Sequence, residues 1–383
     1  MKNKIFILLF IIVCQSGMAQ SWNQNFIRVR SPKTKINSID VLDSKSIFKD
    51  SVSTDIQYFD GLGRPKQNVN VFASPQGKDV MTPIKYDYLG LESRKYLPYV
   101  SDTYDGTYKV YDESEQATFY SSGSPKCITD GKPYSKITFE PSPLNRPSLQ
   151  FGPGQNWHDS NRSTEKTYLS NTTGEVKQWI ISGMSSNGSS TYAAGALYKT
   201  QTTDENGNKS WEYTDKKGRI ILKKVESDIN IFLNTYYVYD DLDRLVYVIP
   251  PKATGNIYTE NSTGFNELIY AYQYDERGRV KEKYIPGAGW TYLVYNQIDQ
   301  LILSQDANQG ASNTWIFTKY DGLGRVIMTG SMVIPGTPSN IQLAVNSTSE
   351  TIFWETRNNL SDQYFYTNSA YPRFTDYNSM SFS

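Results

Sequence analysis

Apolar and polar residues alternate along much of the chain with the period of a β-strand. Residues 231–239 and 244–249 form two such runs, and Tyr270, Tyr272 and Tyr274 fall on one face of another. Most runs end at a short polar segment rich in Asp, Asn and Gly, which is typical of a tight turn. No segment has a sustained 3.6-residue apolar period with helix caps. The pattern predicts an all-β chain of consecutive antiparallel hairpins.

The segments between strands repeat one turn sequence, which is most complete at residues 274–279 and 320–325. An aspartate opens each copy, and its carboxylate can accept backbone N–H groups two residues on. Glycine holds the fourth position, where a reversing chain often needs a positive φ. The arginine that follows can reach back to the aspartate or lie over the tyrosine ring. The predicted turn residues are Asp60, Gly63, Asp87, Gly90, Asp215, Gly218, Arg219, Asp240, Arg244, Asp275, Gly278, Arg279, Asp321, Gly324 and Arg325.

Two copies of the turn depart from the pattern at the glycine position, where they carry Asp243 and Asp299. If this position takes a left-handed backbone, glycine adopts it freely and aspartate tolerates it at some cost. A left-handed backbone at both aspartates would therefore support the alignment of these two turns with the glycine-containing turns.

The first 19 residues have the composition of a signal peptide. Lys2 and Lys4 precede an apolar run, and cleavage is predicted between Ala19 and Gln20. No later segment is apolar and long enough to cross a membrane, so we expect a secreted or cell-surface protein. Residues 20–160 are predicted to form an N-terminal β section with two early repeats and an insertion rich in Pro, Ser and Gly, and residues 161–383 the repeat array.

Composition narrows the classes of partner. Lys plus Arg equals Asp plus Glu at 39 each, so nothing indicates nucleic acid or an anionic membrane surface. Loss of the signal peptide removes Cys14 and leaves Cys127, which excludes an intramolecular disulfide. We expect Cys127 to be buried; pairing between chains and nucleophilic attack are the alternatives.

Catalytic chemistry has little support in the sequence. His158 is the one histidine, so any Ser-His-Asp or Cys-His arrangement would depend on it. It shares the Pro-rich section with Cys127, but neither residue has a local catalytic signature or a third orienting group. We predict no catalytic residues, no cofactor and no enzyme activity.

One turn crowds three carboxylates, those of Asp240, Asp241 and Asp243, and is the candidate metal site of the sequence. Extracellular Ca²⁺ takes such oxygen ligands, but it needs six or more of them. The alternative, which we favour, is that all three belong to the turn of a diverged repeat.

The repeated segments resemble those of the RHS, or YD-repeat, family of exported bacterial proteins. The pattern Tyr-Asp-x-x-Gly-Arg is present at residues 274–279 and 320–325, with close variants at residues 58–64, 213–219 and 239–244. Longer strings are similar to the uncharacterised N-terminal section of large RHS-containing proteins. The resemblance implies consecutive hairpins that wind into a curled, shell-like sheet, which in several members encloses a C-terminal toxin domain.

Two features distinguish the chain from that family design. It lacks the Asp-Pro-x-Gly-Leu signature of the RHS core, and it ends at Ser383 with a low-complexity tail. We interpret the chain as an N-terminal portion, or a short version, of a larger RHS-type protein. A fragment of a polymorphic toxin-type protein is included in this interpretation. The expected function is that of an exported, non-enzymatic scaffold in a shell or surface assembly. The candidate partners are further RHS repeats, an enclosed cargo domain or a surface partner. The alternative is an adhesin or glycan-binding module with exposed Tyr and Trp, although such rows more often form a buried seam.

Overall fold

A computed structural model describes residues 23–45, 50–111, 113–121, 129–182, 185–347, 352–357, 366–373 and 381–382. The predicted signal peptide with Ala19 and Gln20 lies outside these residues, as do Cys14 and Cys127. Neighbouring strands pair in antiparallel fashion, which confirms the predicted all-β class. None of the described helices has the length and apolar character that a bilayer crossing requires.

The chain forms two compact units, one of residues 1–167 and 201–209 and one of residues 168–200 and 210–383. Nine strands that begin in the first unit are β1 Asn25–Pro32, β2 Val52–Phe59, β3 Pro65–Val71, β4 Val80–Pro83, β5 Arg94–Tyr96, β6 Tyr99–Val100, β7 Tyr134–Phe139, β8 Pro147–Phe151 and β9 Thr164–Ser170. Its helices are α1 Ile39–Lys45, α2 Glu113–Ser121 and α3 Gln155–Asp159.

The other strands are β10 Lys177–Ser182, β11 Ser185–Thr191, β12 Tyr198–Thr203, β13 Lys209–Thr214, β14 Ile220–Asp228, β15 Ile231–Tyr239, β16 Leu245–Ile249, β17 Ile257–Thr259, β18 Tyr270–Tyr274, β19 Val280–Ile285, β20 Gly289–Tyr295, β21 Leu301–Gln305, β22 Thr314–Tyr320, β23 Val326–Val333 and β24 Ser381–Phe382. The second unit also contains helices α4 Thr263–Leu268, α5 Ala307–Gly310 and α6 Pro338–Ser347.

A five-stranded sheet in the order β1-β2-β3-β4-β6 organises the first unit. Strand β2 alternates buried and half-buried residues along its whole length, as a strand with one covered face does. The buried faces of these strands supply the core residues Ile56, Tyr58, Val69, Val71, Met81 and Tyr99.

Residues 101–111 pack against this core through Tyr108 and Tyr111. Tyr58 donates its hydroxyl to the Gly106 carbonyl at 2.6 Å. Asp79 is fully buried, and it accepts the backbone N–H groups of Phe72 and Gly106. The segment therefore belongs to the hydrogen-bonded interior of the first unit, because its Gly106 N–H is a donor to the second carboxylate oxygen of the buried Asp79.

The second unit places strands β13, β14, β15, β16, β18, β19, β20, β21, β22 and β23 side by side in chain order. Strands β10, β11 and β17 form a separate three-stranded sheet. One core cluster gathers around Tyr213, Tyr247 and Phe265. A second gathers around Trp315 and Phe317, and helix α6 contributes Ile341 and Val345 to it.

The second unit also contains short helices that the alternating pattern did not predict. Helix α4 is capped by the Ser262 side chain, and helix α5 begins with a capping box between Asp306 and Gln309. The ten-residue helix α6 buries only Ile341 and Val345. Two buried residues in ten do not make a sustained apolar period, which is why the pattern missed this helix.

A buried ion pair ties a C-terminal segment to strand β22. The Lys319 Nζ and Glu355 Oε1 atoms lie 2.5 Å apart, with both side chains fully buried. Glu355 also accepts the backbone N–H groups of Ser369 and Ala370. The remaining bonds of the carboxylate are satisfied in this way, which a buried charge requires.

We predict that Gly106→Ala destabilises the protein more than Gly77→Ala. Both glycines have left-handed backbones, at φ 68° and 75°, where a Cβ costs about 1–2 kcal/mol. A Cβ on Gly106 would also lie 2.9 Å from atoms of Ile56 and Val71, whereas one on Gly77 meets nothing within 4 Å. Overpacking should add about 1–3 kcal/mol at Gly106 alone. Denaturant titration of the two variants measures the difference, and equal losses would contradict the packing of residues 101–111 against this core.

Candidate functional site in the repeated turns

The repeated turns share one hydrogen-bonding pattern, which Asp275 illustrates. One carboxylate oxygen of Asp275 accepts the backbone N–H groups of Arg277 and Arg279 at 2.9 Å, and the other accepts Arg279 Nε at 2.6 Å. The backbone adds bonds from Gly278 N to the Asp275 carbonyl and from Asp275 N to the Arg279 carbonyl. This is a type I turn followed by a left-handed residue. The same carboxylate bonds recur in the turns at Asp60, Asp215, Asp240 and Asp321.

Some turns keep this geometry without the ion pair. Asn296 takes the place of aspartate, and its side chain bonds to the backbone N–H of Gln300 and to the Gln300 side chain. Asp204 pairs in the same way with Asn208. In the turn at Asp87 the carboxylate accepts the backbone N–H of Leu91, whose apolar side chain cannot donate a second bond. The backbone pattern is therefore common to all these turns, and the ion pair is an addition to it.

The left-handed backbone expected at the fourth turn position is present in the turns with glycine and in those with aspartate at that position. Gly278 and Gly324 have φ of 77° and 76°, and Asp243 and Asp299 have φ of 64° and 66°. A further contact accompanies each aspartate. Asp243 binds Lys217 and Arg219, and Asp299 binds Arg277 and Arg279, all from the preceding turn. These aspartates therefore accept backbone strain and join neighbouring turns, a role that the sequence did not reveal.

Among the described residues, four tyrosines that immediately precede a turn lie over the arginine of the preceding turn. The guanidinium carbon of Arg219 lies 4.9 Å from the centre of the Tyr239 ring. The corresponding distances are 4.9 Å for Arg244 and Tyr274, 4.6 Å for Arg279 and Tyr295, and 4.3 Å for Arg64 and Tyr86 in the first unit. The ring over each arginine thus belongs to the following repeat, an arrangement that favours a cation–π attraction.

The hydroxyl of the same tyrosine completes the contact. Tyr239, Tyr274 and Tyr295 donate to the carbonyls of Ile220, Leu245 and Val280, each one residue after the covered arginine, at 2.8–3.0 Å. Tyr320 donates to the Leu301 carbonyl although Gln300 replaces the arginine there. Burial raises the pKa of Tyr239, Tyr274 and Tyr295, so these hydroxyls stay protonated donors at neutral pH. We call this series of contacts the tyrosine–arginine ladder.

Two tyrosines assigned to the repeat lie outside the ladder. The residue directly before the turn aspartate, which is the ladder position, is Phe59 in one copy and Thr214 in the other, so Tyr58 and Tyr213 stand one residue earlier. Tyr58 enters the core of the first unit, and Tyr213 is fully buried and donates to Glu175. Asn171 also lies outside the ladder. It is buried, its side chain accepts the Leu197 N–H, and it donates to the Ala193 carbonyl.

The Pro-rich section contains a related turn that the sequence analysis missed. Glu140 and Arg146 close the hairpin of β7 and β8 with two side-chain bonds of 2.7 and 2.8 Å. The Arg146 guanidinium and the Ser142 hydroxyl together lower the pKa of Glu140 to about 2. The longer spacing and the exchange of Asp for Glu explain why the motif was not visible.

Two aspartates of the candidate metal site, Asp240 and Asp243, bond to residues of the turns. The Asp240 carboxylate is bonded to Leu242 N, Arg244 N and Arg244 Nε, and Asp243 is bonded to the preceding turn. Within the described ranges, no group of three His, Cys, Asp or Glu side chains is arranged to hold a metal ion. These bonds match the turn hypothesis for Asp240 and Asp243, and Asp241 is exposed.

His158 lies on helix α3 between two aromatic rings. It is stacked on Phe151 and edge-on to Tyr134, with Nε2 3.0 Å from the Tyr134 carbonyl. Cys127 lies outside the described residues, so a contact between Cys127 and His158 stays untested. The contacts of His158 are those of a residue that packs a loop.

The comparisons with known proteins found one family model and a group of solved structures. A family model described as a domain of unknown function (DUF6443) matches residues 30–170. No curated protein matches the chain. Crystal structures of TcdB2-TccC3, and of the same protein without its hypervariable C-terminal region, are similar to it at 13% and 14% sequence identity, with TM-scores of 0.47 and 0.48. Each covers 74% of this chain, which spans only 13% and 12% of the length of those chains.

We predict that the Asp–Arg turns make the second unit sensitive to acid. Burial alone would raise the pKa of Asp275, but the N–H and guanidinium of Arg279 outweigh it and lower that pKa below its ordinary value of 3.8. The pKa of Asp240 is lowered in the same way. A lowered pKa in the folded state contributes stability above about pH 4 that is lost as the pH falls below it.

The substitution Asp275→Asn measures this contribution. We expect a loss of about 1–2 kcal/mol at pH 7, because a charged acceptor is replaced by a neutral one. The loss should shrink as the pH falls below 4, since wild-type Asp275 is then protonated as well. The matched control is Asp241→Asn in an exposed turn position, which should change little at either pH. An Asp275→Asn loss that is equal at pH 7 and pH 2.5 would contradict the prediction.

Proposed function

We propose that this chain is an exported, non-enzymatic scaffold of the YD-repeat type that forms part of a shell-like or cell-surface assembly. The observation that carries the proposal is the tyrosine–arginine ladder. The steps at Tyr239, Tyr274 and Tyr295 use the same ring, hydroxyl and guanidinium, and the step at Tyr320 keeps the hydroxyl bond, so neighbouring repeats join by one rule. Repetition of one supersecondary unit through nearest-neighbour contacts is the physical basis of extended repeat proteins.

The polar side chains of the turns bond to other groups of the turns, which supports a structural role. The Asp275 carboxylate makes three bonds within its own turn, and Arg279 bonds to Asp275, Asp299 and the Asn296 carbonyl. A catalytic acid, base or electrophile would need to face a substrate. These groups face one another instead.

Aromatic side chains also favour the scaffold over a glycan-binding module. Tyr213, Tyr247 and Trp315 are almost completely buried, and the ladder tyrosines cover arginines. Tyr88 is the strongest remaining candidate for stacking on a sugar ring, because it is 94% exposed at the tip of the turn that Asp87 opens. The adhesin hypothesis can therefore be tested at this single side chain.

The test follows a tagged full-length chain in the cells that encode it. We expect the mature protein in the exported fraction, starting at Gln20, and in a particle larger than the chain alone. The double variant Arg244→Ala/Tyr274→Ala breaks one step of the ladder and should shrink that particle, whereas the control variant His158→Ala should leave its size unchanged.

Two results would contradict the scaffold. One is a wild-type exported chain that stays monomeric in its native fraction. The other is a glycan-array signal that Tyr88→Ala abolishes, which would support the adhesin instead.

A further inference from the structure

The hairpin of β14 and β15 places a lysine and an asparagine directly opposite each other. Lys224 and Asn234 are partners in the register of this antiparallel pair, so their side chains leave the same face of the sheet, with Cβ atoms about 5 Å apart. On its other side Lys224 is the partner of Trp211 in β13. An aromatic ring, an amine and an amide therefore stand in one row across three strands.

Two aromatic rings enclose the amine of Lys224. Its Nζ atom lies 3.7 Å from the centre of the Phe232 ring and 5.2 Å from that of Trp211, and the two rings meet edge to face. Phe232 precedes Asn234 by two residues on β15, so the amine leans over the strand that carries the amide. The rings hold the amine in place and keep water away from it.

No anion is paired with the Lys224 amine within the described part of the chain, where it makes neither a hydrogen bond nor an ion pair. Its neighbour Lys223, on the opposite face, pairs with Glu212 at 3.5 Å. Burial lowers the pKa of Lys224 below its ordinary value of 10.5. Glu175 offsets only part of this effect, since its own charge is paired with Lys199 at 2.5 Å. A lysine in such surroundings has a larger share of the neutral, nucleophilic form.

The side-chain amide of Asn234 is incompletely bonded. Its Oδ1 atom is buried, and no described residue donates a hydrogen bond to it, which is rare for a buried oxygen. Glu226 lies two residues beyond Lys224 on the same face of β14, diagonally across from Asn234. Long side chains reach one another at that spacing. A Glu226 carboxyl that has taken a proton from the amine can therefore donate it at the amide.

We propose that Lys224 and Asn234 form an intramolecular isopeptide bond, with Glu226 as the proton carrier. The neutral amine of Lys224 attacks the Cγ atom of Asn234, the bond from that carbon to the amide nitrogen breaks, and ammonia leaves. One proton of the amine passes through the Glu226 carboxylate to the departing nitrogen. The step balances without an oxidant or a second reactant. The bond goes beyond the proposed scaffold function and does not depend on the assembly that the chain joins.

A peptide map of the full-length chain, purified from the cells that encode it, tests the bond directly. Trypsin cuts after Lys and Arg, so an unmodified chain yields the linear peptide of residues 225–244. A lysine whose amine has become an amide is not cut. We expect instead a looped peptide of residues 224–244, lighter than its sequence by one ammonia, whose fragment spectrum lacks breaks between Lys224 and Asn234.

Two results with the wild-type chain would overturn the proposal. One is the linear peptide of residues 225–244 at the mass of its sequence. The other is the same peptide lighter by one ammonia, because loss of ammonia without protection of Lys224 means that Asn234 has cyclised onto its own backbone. Neither result depends on the folding of a variant.

Matched variants assign the roles of the three side chains. Lys224→Arg and Asn234→Ala should each give the linear peptide alone. The control Lys223→Arg alters the adjacent lysine on the other face and should form the loop as the wild type does. Glu226→Gln keeps the size of the side chain but cannot carry a proton, so the looped peptide should accumulate at least about tenfold more slowly after synthesis. An unchanged rate in Glu226→Gln would contradict the proton transfer proposed for Glu226.

Discussion

The contact between a tyrosine and the arginine of the preceding turn determines how neighbouring hairpins of the second unit are joined. Backbone pairing between hairpins is sparse at some steps: strands β16 and β18 pair through only two residues each, and so do β21 and β22. At both steps a tyrosine hydroxyl bridges the gap at the turn end, from Tyr274 to Leu245 and from Tyr320 to Leu301. Side chains at the turns therefore supplement a sheet whose ladder of backbone bonds is short there.

The ion pair inside each turn prepares the arginine for this contact. Arg279 uses Nε on Asp275 and Nη1 on Asp299 and on the Asn296 carbonyl of the next turn. The planar, fork-shaped guanidinium can serve both turns while its face lies against Tyr295. Lysine could supply the charge, but it could not supply two directed edges and a flat face together.

The sequence predicted the local parts of this arrangement and missed the parts that join distant residues. The Asp, Gly and Arg of one turn lie within five positions, so their chemistry is visible as a motif. A ladder tyrosine and the carbonyl it binds are 15 to 29 residues apart, and their contact depends on which hairpins become neighbours. Tyr58 and Tyr213 stand one residue further from their turns than the ladder tyrosines do, and both enter a core instead. The sequence also missed a long-range bond of residues 101–111, in which the Gly106 N–H binds the buried Asp79, 27 residues earlier.

The most direct test of the account is a double-mutant cycle on Arg244 and Tyr274, which join two hairpins with only two backbone pairs. Unfolding free energies of Arg244→Ala, Tyr274→Ala and the double variant are compared at constant denaturant slope. The bond between Arg244 and Asp240 is lost in both variants that lack Arg244, so it cancels in the cycle. The account predicts a coupling of about 1 kcal/mol or more, and no coupling between Arg244 and Tyr295, which do not touch in the ladder. Losses at Arg244 and Tyr274 that add within about 0.3 kcal/mol would contradict it.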